Sequence, residues 1–221
     1  MEARLTRISQ SEALRYLGVH GSPDSSLQAD LDRCMGLLVS TVRPRVCWRL
    51  FPVAETGIWQ GTSFCPEGTD IRKHMAGCNQ AVGIAATLGS ETETLLCRAQ
   101  ARDMADAVIL DALASAAIEN VCDNLCSDLA LFLAPRKLTP RFSPGYGDFP
   151  LSQQRELCTV LNVDRLLGIT LTPGGLMIPQ KSVTAVLGVS GKEQDQKSGC
   201  ENCILSDCCM YKKEGSPCGK Q

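Results

Sequence analysis

Residues 91–133 lie within the longest stretch of this sequence without glycine or proline. It is rich in alanine, leucine, aspartate and glutamate, so we expect one or two long helices, divided near Arg102 and Asp103. Small or apolar side chains that are expected to pack closely against a sheet lie on one side: Ala105, Leu113, Ala116, Ala117 and Val121. Because a helix cannot bury such a side alone, the rest of the chain must supply the layers that cover it.

Shorter elements are predicted on both sides of this segment. A capping-box pattern at residues 9–12 starts a short helix that stops at Gly18, and polar residues 22–25 start a second helix that ends at Pro44. Strands are predicted at 45–53, 81–88, 169–172, 176–178 and 181–189, with a short helix at 152–161 and a stop at Gly168. Grouped strands and grouped helices, rather than strict alternation, favour an α+β fold with a largely antiparallel sheet.

Composition and charge argue against several classes of function. A hydrophobic content of 44% is ample for a core, whereas a formal net charge of −2 leaves no basic surplus for binding nucleic acid. The N-terminal residues are charged and lack a long apolar run, so we expect no membrane segment and a cytoplasmic location. There, the 13 cysteines are expected to be reduced thiols, metal ligands or small buried residues rather than disulfides.

Several common catalytic patterns are absent from the sequence. No glycine-rich loop matches a phosphate-binding or dinucleotide-binding motif. The two histidines, His20 and His74, are expected to be packing or surface residues rather than catalytic bases. Four carboxylates on the long helical segment have spacings that mostly suit a solvated surface: Asp103, Asp106, Asp111 and Glu119.

Residues 141–150, RFSPGYGDFP, combine prolines, glycines and aromatic rings with one arginine. Pro144 and Gly145 restrict and free neighbouring backbone angles, which lets the chain bend sharply and bring its amides close to a bound group. Arg141 offers a planar fork of donors suited to a carboxylate, and Tyr146 offers a ring face and a hydroxyl to a flat heterocycle. A zwitterionic ligand with a planar base would fit this set, and a rigid connector with a solvent-facing arginine is the alternative.

Together with residues further along the chain, this loop resembles the activation domain of cobalamin-dependent methionine synthase. That family has an arginine, a Pro-Gly-Tyr turn and a downstream proline, then a Leu-Thr strand, a Met-x-Pro turn and a Ser-Val strand. The positions that match are Arg141, Pro144, Gly145, Tyr146 and Pro150, then Gly168, Ile169, Leu171, Thr172 and Pro173, then Met177, Pro179, Ser182 and Val183. The alanine-rich helix upstream is also similar to the one that the family places before the loop.

The resemblance implies a C-shaped α+β domain with a bent, mainly antiparallel sheet flanked by long helices, which binds S-adenosylmethionine in a shallow site. It places Arg141 against the carboxylate of the ligand and Tyr146 against its adenosine. Backbone groups of the neighbouring residues are implied to hold the adenosine as well: Ser143, Pro144, Gly145, Gly147 and Asp148.

Two details of the implied site concern acidic residues. The family uses an acidic side chain on the long helix, for which Glu119 is the nearest candidate, with Ser115 at the alternative register. Asp148 and Phe149 depart from the small residue and cysteine that are common in the family at this point. Asp148 could therefore add an acceptor for the ribose or the amino group.

The resemblance also implies a function in reactivation. In the family, cobalamin that has oxidised to the inactive cob(II) state is restored by a methyl group from S-adenosylmethionine and an electron from a flavoprotein. This sequence contains no D-x-H-x-x-G cobalamin loop and no zinc-binding homocysteine domain. Cobalamin is therefore expected on a separate methionine synthase or another corrinoid methyltransferase, with a flavodoxin-like or ferredoxin-like reductant.

Two other functions stay open on the sequence alone. The first is a stand-alone methyltransferase that uses S-adenosylmethionine on a small thiol such as homocysteine, with cysteine-bound zinc activating the thiol. The second is a metal-regulated interaction protein that has lost its ligand.

The last part of the chain differs in composition from the rest. We expect residues 1–189 to form the ligand-binding domain and residues 190–221 a linker and a cysteine-rich tail. Metal-ligand spacing is found among Cys200, Cys203, Cys208, Cys209 and Cys218, in a segment too short and polar to fold around its own core. Zinc would hold the tail together, an iron–sulfur cluster could pass the electron that reductive methylation needs, and a reduced tail without metal is the alternative.

Overall fold

The computed structural model describes residues 3–191. Its helices are α1 (Gln10–Tyr16), α2 (Ser25–Thr41), α3 (Thr69–His74), α4 (Ser90–Arg102), α5 (Met104–Leu133), α6 (Gln154–Leu161) and α7 (Val163–Leu167). Its strands are β1 (Arg45–Pro52), β2 (Gln80–Thr87), β3 (Lys137–Leu138), β4 (Thr170–Leu171), β5 (Met177–Ile178) and β6 (Ser182–Ser190). A 3₁₀ turn, Leu151–Gln153, leads into α6.

The segment without glycine or proline folds as α4 and α5, which meet at Asp103 as predicted. Asp103 has an extended backbone with φ of −150°, and its carboxylate accepts a hydrogen bond from the Ala105 N–H at 2.8 Å. One residue thereby ends α4 and caps α5, because its side chain satisfies an amide that has no partner within the helix.

Most of α5 is buried between two groups of neighbours. Its first half packs against α1, α2 and α4, and its second half packs on the sheet through Leu125, Leu129 and Leu133. Four of the residues predicted to pack closely are buried: Leu113, Ala116, Ala117 and Val121. They lie in the cluster that joins the helices to Ala86 and Leu88, whereas Ala105 is exposed because it lies in the first turn of α5, beside the cap.

The main sheet has the strand order β1-β2-β6-β3 and is antiparallel throughout. β2 lies inside it, paired with β1 from Pro52↔Gln80 to Arg45↔Thr87 and with β6 along its whole length. All residues of β2 after Gln80 are buried, since helices cover both faces of the sheet. The predicted α+β fold with a largely antiparallel sheet is confirmed.

Both faces of the sheet carry a core. α5 covers one face, and α6 and α7 cover the other together with buried rings such as Phe51 and Trp59, whose centroids lie 4.8 Å apart. Both faces of β1 contribute to these cores. Trp48 packs on the side of α5, and Cys47 on the opposite face packs with Phe51 in the second core.

The sequence did not predict α3, α7 or β3, nor the pairing of β4 with β5. α3 is short and buries only Ile71, so it leaves no apolar repeat in the sequence. The predicted strands around Leu171 and Met177 exist, but they pair with each other in a separate two-stranded sheet rather than joining the main one.

Within residues 3–191 the eight cysteines are free thiols, in agreement with the prediction of reduced cysteines. His74 is half-buried, and its Nε2 lies 2.7 Å from the Thr139 hydroxyl and 2.8 Å from the Pro140 carbonyl, which fits the predicted packing role. No helix in this part of the chain combines the length and the apolar character needed to cross a membrane.

Candidate functional site

The loop of residues 141–150 is a closed turn anchored on β6. Phe142 and Val186 exchange both backbone hydrogen bonds, at 3.0 and 2.9 Å. Across the turn, the Gly145 N–H donates to the Phe149 carbonyl at 2.8 Å. Gly145 has φ of +93°, which is available to glycine at little cost. The loop is therefore held by its own backbone, and its shape does not depend on a ligand.

Asp148 and Phe149, where the sequence departs from the family, hold this loop to the rest of the domain. The Asp148 carboxylate accepts hydrogen bonds from the Thr69 N–H at 2.6 Å and the Asp70 N–H at 2.9 Å. Gly68, at the start of α3, has no side chain that could cap the helix, so Asp148 caps it from a distant part of the chain. Phe149 is buried in the core beneath α6. The Asp148 side chain is thus already engaged, which leaves its backbone for the ligand contact implied by the resemblance.

The Arg141 side chain is mostly buried against α5. Its Nη2 lies 2.8 Å from Glu119 Oε2 and 2.9 Å from Asp123 Oδ1. Its Nη1 is buried and has no hydrogen-bond partner. Leaving a buried donor unpaired is costly, so Nη1 is available to an acceptor that approaches it. A ligand carboxylate has the chemistry to satisfy such a donor.

Two thiols of α5 lie beside the Arg141 guanidinium, and sequence reasoning gave them no role. Burial raises the pKa of Cys126 and the Arg141 charge lowers it by less, and Cys122 interacts with the same charge. Burial raises the pKa of Cys122 to about 12, so this thiol stays protonated at neutral pH. The four-residue spacing of the two cysteines, which places both on one side of a helix, was the available sequence signal.

Glu119 connects Arg141 with an open surface bordered by two tyrosines. Burial raises the pKa of Glu119, and the nearby Arg141 charge lowers it by less. Tyr16 of α1 lies near enough that its pKa is raised by burial first and then by the charge of Glu119, with a smaller contribution from Tyr146. Tyr146 is 67% exposed and Tyr16 is 45% exposed. The paired arginine therefore lies beside two accessible aromatic rings.

One face of α5 carries polar groups at four-residue intervals along this surface. Asp111 and Ser115 precede Glu119 and Asp123, and both contact Lys181 at the start of β6. Lys181 Nζ lies 2.8 Å from Asp111 Oδ1 and 2.9 Å from Ser115 Oγ. Ser115, the alternative register for the acidic ligand residue, thus contacts Lys181, whereas Glu119 contacts Arg141.

Asp103 and Asp111 of the long helix are exposed, as predicted, and Asp106 and Glu119 are partly exposed, but each of the four also has a partner. Asp103 caps α5, and Asp106 accepts two hydrogen bonds from Arg33 at 2.6 and 2.7 Å. Asp111 and Glu119 pair with Lys181 and Arg141. These basic partners come from segments distant in sequence, so spacing along the helix did not reveal them.

Two cavities open on the helical layer. The smaller, of about 320 Å³, lies between α1 and α5, and Tyr16, Val108, Asp111 and Ser115 are among its lining residues. The larger, of about 550 Å³, lies between α4 and the β4–β5 hairpin, and neither cavity is lined by a residue of the 141–150 loop. The smaller cavity is the one that adjoins the polar face of α5, so we take it as part of the candidate site.

The other predicted site residues belong to the 141–150 loop and differ in their exposure to solvent. Gly145, Tyr146 and Gly147 are exposed, Pro144 is buried and Ser143 is partly buried. The predicted metal ligands lie outside the described residues: Cys200, Cys203, Cys208, Cys209 and Cys218. Within residues 3–191, no group of three or more histidine, cysteine, aspartate or glutamate side chains is arranged to hold a metal ion.

Comparison with known proteins gives a match at the level of structure. No family model matches the sequence, and no curated protein matches it. A crystal structure of the MetH reactivation domain bound to AdoHcy is similar, with a TM-score of 0.61 at 16% sequence identity, covering 91% of this chain and 79% of that chain. This likeness shows that the chain has the reactivation-domain fold, which confirms the fold predicted from the resemblance.

Proposed function

We propose that this protein binds S-adenosylmethionine and supports the reductive methylation of a corrinoid held by a separate protein. A methionine synthase or a related corrinoid methyltransferase is the proposed partner. A flavodoxin-like or ferredoxin-like protein is the proposed reductant, and the cytoplasm the proposed location. The observation that carries the proposal is the Arg141 guanidinium, held against α5 of a reactivation-domain fold with one buried nitrogen lacking an acceptor.

The chemistry of the surface around Arg141 matches the parts of this ligand. Arg141 would pair with the carboxylate, Glu119 would accept hydrogen bonds from the amino group, and Tyr146 would lie against the adenosine. AdoHcy, which the structurally similar domain binds, carries the same three parts.

An exposed site suits delivery of a methyl group to another protein. Bound S-adenosylmethionine supplies a methyl group on a positively charged sulfur, and the corrinoid of the partner accepts it. Tyr16 and Tyr146 are both well exposed at the border of the site, so a second protein can approach a ligand held there. The residues of this chain would therefore bind and orient the ligand rather than perform acid–base chemistry.

Calorimetry with S-adenosylmethionine tests the ligand assignment. We expect the wild-type protein to bind, and Arg141→Ala to weaken binding at least about tenfold, because a charge-assisted pair is lost. Arg141→Lys should be intermediate, since it keeps the charge without the planar fork. Arg165→Ala, which removes an exposed arginine on α7, is the matched control. No binding at millimolar ligand, or full binding by Arg141→Ala, would disprove the assignment.

A transfer assay separates the proposed function from its rival. The protein is mixed with methyl-labelled S-adenosylmethionine, a chemical reductant and a cobalamin-loaded methionine synthase fragment that lacks its own activation domain. Label in methylcobalamin supports the proposal. Label in homocysteine when the corrinoid is omitted would instead identify a stand-alone thiol methyltransferase.

A further inference from the structure

Arg141 makes its two ion pairs through a single nitrogen. Nη2 lies 2.8 Å from Glu119 Oε2 and 2.9 Å from Asp123 Oδ1. Glu119 accepts a hydrogen bond from Nη2, whereas Asp123 pairs with the same nitrogen by charge. Glu119 and Asp123 are one helical turn apart on α5, which lets them approach the same nitrogen.

This arrangement conflicts with two-pronged recognition of a ligand carboxylate. A guanidinium offers a fork either through Nη1 and Nη2 or through Nε and Nη2, and both forks include Nη2. A ligand carboxylate that pairs in two hydrogen bonds must therefore reach Nη2, where Glu119 already accepts a hydrogen bond and the Asp123 carboxylate already lies 2.9 Å away. The buried Nη1, which has no partner, can supply the second hydrogen bond.

Solvent exposure indicates which carboxylate loses its contact with Arg141 when the ligand binds. The Asp123 side chain is 67% exposed and that of Glu119 is 47% exposed. Water can replace Arg141 as the partner of Asp123 at lower cost, because that carboxylate is already largely hydrated. Glu119 is more deeply buried and would keep its contact beside the ligand amino group.

We propose that Asp123 is a counter-ion that competes with the ligand carboxylate for Arg141 and so lowers the affinity of the site. The inference rests on the proposed function, because it concerns the same ligand. Asp123 thereby keeps the guanidinium paired and oriented in the free protein, and ligand binding replaces that pair.

The test is calorimetry with S-adenosylmethionine on the full chain and its Asp123→Asn variant. Removing the competing charge should tighten binding about two- to fivefold, the range of an exposed ion pair. Asp128→Asn is the matched control, because Asp128 is on the same helix but pairs with Arg4. Asp123→Ala should tighten binding like Asp123→Asn, which checks that the amide itself adds no new contact.

Salt gives a second readout that a purely structural role of Asp123 would not produce. The Asp123 carboxylate of the pair is largely exposed to solvent, so its attraction to Arg141 is screened as the ionic strength rises. The difference in affinity between wild type and Asp123→Asn should therefore shrink at about 1 M salt, where the screening length is near 3 Å.

The possible outcomes distinguish this inference from the proposed function. If the wild type binds, Arg141→Ala does not, and Asp123→Asn binds equally or more weakly, the inference is wrong and the ligand assignment stands. If neither the wild type nor Asp123→Asn binds at millimolar ligand, both fail. Tighter binding by Asp128→Asn of the same size would also overturn the inference, because the effect would then be one of net charge.

Discussion

Arg141 contributes to the fold through Nη2, and a ligand that pairs with the guanidinium in two hydrogen bonds would use the same nitrogen. Its side chain joins the 141–150 loop to α5 through Glu119 and Asp123, and these contacts exist without a ligand. Substitution of Arg141 by an uncharged residue leaves Glu119 and Asp123 without this positively charged partner. Unfolding curves must therefore accompany every binding measurement on an Arg141 variant.

Glu119 is a candidate site residue whose burial is expected to lower the free energy of unfolding at neutral pH. Burial raises the pKa of this carboxyl more than Arg141 lowers it, so its ionised form is disfavoured in the fold. A group with a raised folded-state pKa contributes stability below its ordinary pKa and loses it as the pH rises through the folded-state value. We therefore expect Glu119→Gln to have a free energy of unfolding higher than that of wild type at pH 7 by no more than about 1 kcal/mol, and no advantage near pH 4.

Thermal unfolding at both pH values measures this effect, with Asp128→Asn as a control for lost charge on the same helix. A lower midpoint for Glu119→Gln at pH 7 would show that the pair with Arg141 outweighs the cost of burial. In the same variant the affinity for S-adenosylmethionine should fall, because the proposed acceptor for the amino group is weaker.

We expect the Asp148 side chain to contribute to stability rather than to ligand binding. Its pKa is lowered, first by the hydrogen bond from the Asp70 N–H and then by that from Thr69. A lowered folded-state pKa contributes stability above the ordinary carboxyl pKa near 4, which is lost as the pH falls through the folded-state value. Asp148→Ala should therefore have a lower urea midpoint than wild type at pH 7, and the difference should shrink as the pH falls below about 4.

Asp24→Ala is the matched control for this variant, since it removes a cap from α2 with no link to the loop. If Asp148→Ala abolishes binding of S-adenosylmethionine while its midpoint is unchanged, Asp148 contacts the ligand directly.

At the scale of elements, the sequence predicted the positions of helices and strands better than it predicted which elements pair or pack with one another. The break at Asp103 follows from a local cap, and the stop at Gly168 follows from its φ of +69°. The pairing of β4 with β5 in a separate sheet does not follow from their composition, because strand pairing is decided by partners distant in the chain. For the same reason, the second covered face of β1 was not predicted.

The packing of α5 on the sheet is open to a direct test. Leu129 is fully buried among β2 and β6 residues, whereas Leu131, two residues later, is 78% exposed. Leu129→Ala should lower the free energy of unfolding by about 2–5 kcal/mol, because it removes buried methyl groups and leaves a cavity. Leu131→Ala should change it by less than about 0.5 kcal/mol. Similar losses in both variants, measured by urea unfolding, would contradict the assigned face of the helix.

At the scale of the whole molecule, three clusters of buried side chains within residues 3–191 form the core described above. The main sheet, both of its covered faces and the candidate site lie within residues 3–191. We therefore expect a chain truncated after Gly191 to keep its helical circular dichroism and its affinity for S-adenosylmethionine. A loss of either property on truncation would show that the tail belongs to the domain.

The tail itself is predicted to hold a metal ion or cluster. Protein purified without oxygen should contain metal that is lost in a Cys200→Ser, Cys203→Ser variant, whereas Cys97→Ser, at an exposed cysteine of α4, should retain it. A visible absorption band would indicate iron–sulfur, and a colourless metal-containing protein would indicate zinc. Absence of metal in the wild-type protein would contradict the prediction.

The sequence by itself determined the positions of most helices and strands, the α+β class and the loop that carries Arg141 and Tyr146. These features depend on local caps, hydrophobic periodicity and turn residues, which are written in short stretches of chain. Only the tertiary structure decided that Arg141 pairs with Glu119 and Asp123, that Lys181 pairs with Asp111, and that Asp148 caps α3. Each of these contacts joins residues from different elements, so it exists only after packing has brought those elements together.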